Sequence, residues 1–153
     1  MFRPVIRTRP RRRGAAVVEM AVITPVLLMF IFGIIEFGRF IMIGQMSVNA
    51  TREGDRYAVQ ADSTPTQVKA VAKQYLAGAG VPDTAISTLV LEQQLAGTWV
   101  AITDDDMALK SIPAGTAVRL RMQIDYDKVT WLPRGLFIAQ TSKISSATVM
   151  RKE

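Results

Sequence analysis

The chain has 153 residues, with 19 Lys and Arg, 13 Asp and Glu, and neither Cys nor His. This length predicts one domain with a modest hydrophobic core. Because thiols and imidazoles are missing, the composition excludes disulfide frameworks, Cys/His zinc sites and Ser-His or Cys-His nucleophiles.

The formal net charge of +6 is concentrated at the start of the chain. Residues 1–14 contain six arginines and no acid, which leaves 13 basic and 13 acidic residues elsewhere. A nucleic-acid-binding surface would spread Lys and Arg over a folded face, so we expect no nucleic acid partner. The six residues are Arg3, Arg7, Arg9, Arg11, Arg12 and Arg13.

An apolar segment follows directly, at residues 15–35, with Glu19 as its only charged residue. A transmembrane helix needs about 20 mostly apolar residues, so this segment predicts a helix that spans membrane lipid. The arginines before it predict a cytoplasmic N-terminus and an extracytoplasmic C-terminal domain. A cleaved secretory signal is the alternative, but its apolar region is shorter and ends at a small-residue cleavage pattern, which EFGRF does not provide.

Two residues are unusual for a simple membrane anchor. Glu19 lies inside the apolar segment, where an acid costs up to about 3 kcal/mol at the bilayer centre and usually has a function. Alternatively, it extends towards the headgroups and the arginines. Pro25 removes one helix hydrogen bond, which predicts either a harmless kink or a turn that can bend during subunit packing.

Four segments together resemble the N-terminal signature of the TadE-like minor pilins, which are pseudopilins of the tight-adherence (Flp) branch of type IV pilus machinery. The segments are RRRG, AAVVEMAVITP, FGIIEFGRF and TREGDRYAV, and they cover about residues 10–60. The ending SSATVMRKE also resembles the closing strand of that family. The resemblance implies a non-enzymatic pilus subunit without a cofactor, whose partners are prepilin peptidase, other pilin subunits and the pilus assembly machinery.

The resemblance also assigns roles to residues near the start of the apolar segment. It implies that prepilin peptidase cleaves between Gly14 and Ala15 on the cytoplasmic face of the bacterial inner membrane. Glu19 would then be the fifth residue of the mature chain, where it would pair with the N-terminal ammonium of a neighbouring subunit. Many pilins begin the mature chain with Phe or Met, so N-methylation of Ala15 stays open.

The helix is expected to continue past the membrane to about residue 61. Gly33 and Gly38, with Glu36 between them, are interpreted as helix-packing residues, because small residues permit close approach of helices. The alternative is flexibility where the chain leaves the membrane. Further on, the charged residues of REGDR are interpreted as a solvated helix face, and contact with the C-terminal domain or the next subunit is the second interpretation.

The remaining residues predict an α+β domain. Ser63 or Thr64 can cap a short amphipathic helix that has Pro65 at or near its first turn, with Gln67 available for a capping box. Alternation of apolar and polar residues then predicts strands that form a small antiparallel sheet, with Ala96-Gly97 as a turn, and the long N-terminal helix lies across this sheet as in pilins. The predicted strands are 86–94, 98–103, 116–126 and 141–150.

The domain organisation is therefore a basic leader peptide at 1–14, an N-terminal helix at 15–61 and an extracytoplasmic α+β domain at 62–153. Asp104-Asp105-Asp106 lacks the ligand spacing of a calcium site and is expected to be a solvated loop. The bulky loop Trp131–Phe137 is either a lid on the core or an exposed patch.

The sequence predicts a minor pilin precursor that is incorporated in, or initiates, a Tad pilus used for adhesion or secretion. A single-pass anchored extracytoplasmic binding protein that does not polymerise is the alternative. The position of the subunit in the filament, and the choice among adhesion, secretion and DNA uptake, stay open at the level of sequence.

Overall fold

The computed structural model describes residues 13–60, 62–105, 107–133, 137–139 and 141–152. Helix α1 runs from Arg13 to Ala58 and has Pro25 in its interior. Two compact units are divided between Ile35 and Glu36, so the first part of α1 belongs to one unit and the second part belongs to the C-terminal domain.

Helix α2, Pro65–Gly78, begins as the sequence predicts. The Thr64 side chain accepts a hydrogen bond from the backbone N–H of Gln67, and the Gln67 side chain accepts one from the backbone N–H of Thr64. This capping box satisfies two N–H groups that have no partner within the helix. The helix ends at Gly78, and Gly80, at φ 76°, takes the left-handed conformation that favours glycine.

The four strands form one antiparallel sheet in the order β2-β1-β3-β4. Ala96 and Gly97 connect β1 to β2 with positive φ angles of 49° and 83°, which match the turn that a two-residue hairpin requires. The strands are β1 Ile86–Leu95, β2 Thr98–Ala101, β3 Ala117–Asp125 and β4 Lys143–Arg151.

The alternation in β3 decides which face of the sheet is buried. Val118, Leu120, Met122 and Ile124 are buried, while the arginines between them are partly or fully exposed. The buried face packs against α2 and against the part of α1 that lies within the C-terminal domain. This arrangement confirms the predicted α+β class with a small C-terminal antiparallel sheet.

Candidate functional site

The first part of α1 presents apolar side chains on every side. Its most apolar window of 18 residues has a mean hydropathy of 2.4 and none of it is buried. Phe30, for example, is 69% exposed and Val22 is 68% exposed. Among the described residues this is the one helix long and apolar enough to cross a membrane, and lipid is the solvent that suits such a surface.

The residues expected at the cleavage site lie at the beginning of this helix. The structure describes helix α1 from Arg13 onwards, so the bond between Gly14 and Ala15 lies near the first described residue of the helix, and both residues are exposed. A Cβ atom added to Gly14 would meet nothing within 4 Å. The expected leader residues 1–12 lie outside the described residues.

Glu19 and Pro25 lie further along the same exposed segment. The carboxylate of Glu19 forms no ion pair or hydrogen bond with any described residue. Just before Pro25, the hydroxyl of Thr24 donates to the carbonyl of Met20 at 2.7 Å, which satisfies a polar group that lipid could not. The segment therefore contains one acid for which the described residues provide no partner.

The predicted packing glycines differ in their surroundings. Gly38 is exposed, and a Cβ atom there would meet nothing within 4 Å. Gly33 is half-buried. Neither fact tests packing between subunits, and the surface at Gly38 is open to a neighbouring helix.

Glu36 has a clear role within its own chain. It is 3% exposed, and its carboxylate accepts a hydrogen bond from the hydroxyl of Tyr126 at 2.8 Å and another from the hydroxyl of Thr130. Burial, together with the hydrogen bond and the charge of Glu36, raises the pKa of Tyr126 well above its usual range, so the phenol stays protonated and can donate. A buried carboxylate is tolerated because two donors satisfy it.

Two further residues of EFGRF, Arg39 and Phe40, contact the same part of the domain. Arg39 Nε donates to the carbonyl of Val129 at 2.8 Å, and its guanidinium lies 4.2 Å from the centre of the Trp131 ring. Phe40 packs edge-on against Tyr126, with 5.0 Å between ring centres. EFGRF therefore binds the turn Tyr126–Lys128 and the loop after it.

The second signature segment, REGDR, meets the centre of the sheet. A Cβ atom on Gly54 would lie 2.5 Å from Leu120 Cδ2 and 3.6 Å from the Cβ atom of Ala72. Gly54 is thus the point where α1 approaches β3 too closely for a side chain, while α2 lies at van der Waals distance. Gly54 was not predicted as a packing residue, although its position in a helix interior was the signal.

Asp55 is completely buried beside this glycine. Its Oδ1 accepts a hydrogen bond from the backbone N–H of Leu120 at 2.6 Å, whereas Oδ2 has no partner. Burial raises the pKa of Asp55 from 3.8 to about 8, and the hydrogen bond from Leu120 offsets only part of that effect. The interpretation of REGDR as a solvated face is wrong for Asp55, which contacts its own domain, and it holds for the exposed pair Glu53 and Arg56, 3.9 Å apart.

Hydroxyl groups complete the contact between α1 and β4. Ser47 and Ser146 lie 2.5 Å apart through their hydroxyl oxygens, and Thr51 and Thr148 lie 3.0 Å apart. At the end of the helix, the buried ammonium of Lys152 donates to two backbone carbonyls, at 3.2 Å and 2.8 Å. Burial lowers the pKa of Lys152, and the carbonyls at a helix C-terminus favour a cation there.

The described residues of the acidic run Asp104-Asp105-Asp106 form contacts within the C-terminal domain. Asp104 pairs with Lys69, and Asp105 accepts a hydrogen bond from the backbone N–H of Met107 at 3.2 Å. Asp106 lies outside the described residues. Among the residues that the structure describes, no group of three or more His, Cys, Asp or Glu could hold a metal ion.

Residues 14–56 match the family model of the TadE-like proteins. No curated protein and no solved structure matches the chain. The family match confirms the TadE-like resemblance over these residues, and together with the apolar helix it supports a membrane-anchored, pilin-like protein associated with the Tad pilus system. The matched segment contains both Glu36 and Asp55, so it includes the residues by which α1 contacts the C-terminal domain.

Proposed function

We propose that this TadE-like protein is the precursor of a minor pilin, which prepilin peptidase processes and which is then incorporated in, or initiates, a Tad pilus for adhesion or secretion. The observation that carries the proposal is the exposed apolar segment of α1, in which Glu19 finds no partner among the described residues. A helix of this kind needs lipid first and then other helices around it.

The two parts of α1 differ in their surroundings, which supports a first part that contacts lipid and other subunits and a second part that contacts the C-terminal domain. After Ile35 several polar residues of the helix form hydrogen bonds with the C-terminal domain, as Glu36 and Thr51 do. Before Ile35 the side chains are exposed. The first part of the helix is therefore available to lipid and neighbouring subunits.

Cleavage between Gly14 and Ala15 would change the electrostatics of that segment. It would remove six arginines and create an ammonium group on Ala15, about one helical turn from Glu19. In a medium of low dielectric constant an unpaired charge is costly, and pairing Glu19 with the ammonium of a neighbouring subunit would relieve both charges. Such a pair would also fix the axial position of one helix against the next.

The arginine-rich arm supports the proposed orientation. Positive residues next to a transmembrane helix stay on the cytoplasmic side, which leaves the C-terminal domain outside the inner membrane. The proposed cleavage site then faces the cytoplasm, and the mature domain faces the compartment in which a pilus is built.

Processing is tested by the N-terminus of the protein in membrane fractions. Mass spectrometry should find Ala15 as the first residue in cells with prepilin peptidase, and the intact leader in cells without it. A bulky replacement of the residue before the bond, Gly14→Leu, should prevent cleavage. The same intact N-terminus in both strains would contradict the proposal.

Assembly is tested separately by Glu19→Leu. The swap makes the segment more apolar, so the variant should insert in the membrane at normal levels, yet cells should carry few or no pili. Val18→Leu changes the neighbouring position without touching a charge and should leave pilus counts normal. Normal counts with Glu19→Leu would favour the anchored binding protein that does not polymerise.

A further inference from the structure

The loop after the turn Tyr126–Lys128 presents a tryptophan outwards from a fixed backbone. Trp131 is 73% exposed. On one side of it, the hydroxyl of Thr130 donates to the buried carboxylate of Glu36. The same hydroxyl accepts a hydrogen bond from the backbone N–H of Leu132 at 3.2 Å. Because these bonds hold the loop, the exposed indole is a defined feature of the fold.

The positively charged side chain of Arg39 lies next to this indole. The guanidinium of Arg39 lies 4.2 Å from the centre of the Trp131 ring, while its Nε donates to the carbonyl of Val129. The pair thus combines a large apolar ring with a positive charge, and the other N–H groups of the guanidinium form no hydrogen bond with a described residue. Trp is enriched at membrane–water interfaces, and guanidinium groups bind phosphate with two donors at once.

The position of Arg39 along α1 places the pair near the end of the apolar segment. Arg39 follows Ile35 by four residues, which corresponds to about 6 Å along a helix. Apolar surface continues at this level, since Phe37 is 59% exposed and Ile41 is 49% exposed. Phe37 and Ile41 thus extend the exposed apolar surface of α1 to both sides of Arg39.

We propose that Trp131 and Arg39 form a phospholipid contact where α1 leaves the bilayer, with the indole at the boundary of headgroups and acyl chains and the guanidinium on a lipid phosphate. The contact would hold the C-terminal domain against the membrane before assembly. The proposal rests on membrane anchoring and does not depend on leader processing or polymerisation. A neighbouring protein subunit could also cover an indole, but the adjacent cation and the end of the apolar segment favour lipid.

The chain provides a matched control for a fluorescence test, because it has two tryptophans. Trp99 also stacks with an arginine, since the guanidinium of Arg119 lies 4.1 Å from its ring centre. It lies on β2, at the edge of the sheet. The variants Trp99→Phe and Trp131→Phe of the full chain each retain a single reporter.

Each variant is reconstituted in vesicles of phosphatidylcholine and phosphatidylglycerol, with or without bromine on the upper acyl carbons. In Trp99→Phe, the remaining Trp131 should show blue-shifted emission and lose intensity with brominated lipid. In Trp131→Phe, the remaining Trp99 should keep its intensity. Adding Arg39→Gln to Trp99→Phe should reduce the quenching, because the loop loses one hydrogen bond and the pair loses its charge.

Two results would overturn the proposal. One is Trp131 emission that brominated lipid leaves unchanged while aqueous acrylamide quenches it, which means that the indole faces water. The other is equal quenching of both tryptophans, which means that the contact with lipid is not specific to this loop. Protection of Trp131 only after other pilus subunits are added would assign the surface to a protein partner instead.

Discussion

Asp55 is a buried acid of α1 that accepts a hydrogen bond from the backbone of β3. It lies in a run of alternating charges whose spacing is typical of an exposed helix face, and Glu53 and Arg56 follow that pattern. Asp55 itself is buried because the close approach of Gly54 brings it to the backbone of β3. Its partner, Leu120, is 65 residues away, so no local pattern could indicate the contact.

The buried carboxyl makes stability depend on pH in a specific direction. The pKa of Asp55 rises from 3.8 to about 8 on folding, so between these values the unfolded chain has released a proton that the folded chain retains. The free energy of unfolding should therefore fall as pH rises through this range, by up to about 1.4 kcal/mol per pH unit from this group. The chain has neither His nor Cys, so few other side chains titrate there.

Asp55→Asn should remove that dependence, because the amide oxygen can still accept from Leu120 and has no proton to release. Urea unfolding of the detergent-solubilised wild-type and Asp55→Asn proteins at pH 5.5 and pH 9 measures the free energy of unfolding of each. We expect the Asn variant to be the more stable of the two proteins at pH 9 and to lose this advantage at pH 5.5. Parallel pH profiles for the two proteins would show that Asp55 is not the titrating group.

Glu36 differs from Asp55 because donors satisfy its carboxylate. Tyr126→Phe keeps the ring that packs against Phe40 and removes one donor, so it should cost about 1.5–3 kcal/mol, the range for hydrogen bonds to charged groups. In a double-mutant cycle, Glu36→Gln should lower the free energy of unfolding by less in the Tyr126→Phe variant than in the wild-type protein. Additive costs in urea unfolding would mean that the two groups are not coupled.

At the scale of elements, the sequence predicts those features of helices and strands that depend on interactions between residues close together in the chain. The capping box at Thr64, the turn at Ala96-Gly97 and the alternation of β3 are confirmed because each depends on neighbours within a few residues. The contacts of α1 with the domain depend on tertiary packing instead. Glu36 and its donors are 90 and 94 residues apart, and only the folded sheet brings them together.

The packing of α1 against the sheet predicts opposite outcomes for two helical glycines. Gly54→Val should be destabilising by about 1–3 kcal/mol, since the new methyl groups would overlap Leu120 and press on α2. Gly38→Val meets open space and should leave the free energy of unfolding unchanged or slightly higher. Urea unfolding followed by tryptophan fluorescence compares the two, and equal effects would contradict the close approach at Gly54.

At the scale of the whole molecule, α1 belongs to two compact units, and its residues follow two kinds of rule. The apolar character of the residues before Ile35 can be predicted from composition alone, because a helix in lipid requires apolar side chains and internal hydrogen bonds. Residues after Ile35 instead contact particular partners in the domain, as Glu36 contacts Tyr126. This is why the apolar span was recognisable in the sequence while the role of EFGRF in binding the domain was not.

The proposed processing would also change the charge of the whole protein. The precursor carries a formal charge of +6, all of it supplied by the six arginines of residues 1–14, and the remainder has 13 basic and 13 acidic residues. Removing the leader should therefore shift the protein from a strongly basic isoelectric point to a nearly neutral one. Net charge far from zero keeps proteins apart, so this loss favours close packing of processed subunits.

Isoelectric focusing of membrane fractions should show the neutral form with prepilin peptidase and the basic form without it. Gly14→Leu should stay basic in both, and a basic form that persists in the wild-type protein with active peptidase would contradict the proposed removal of the leader.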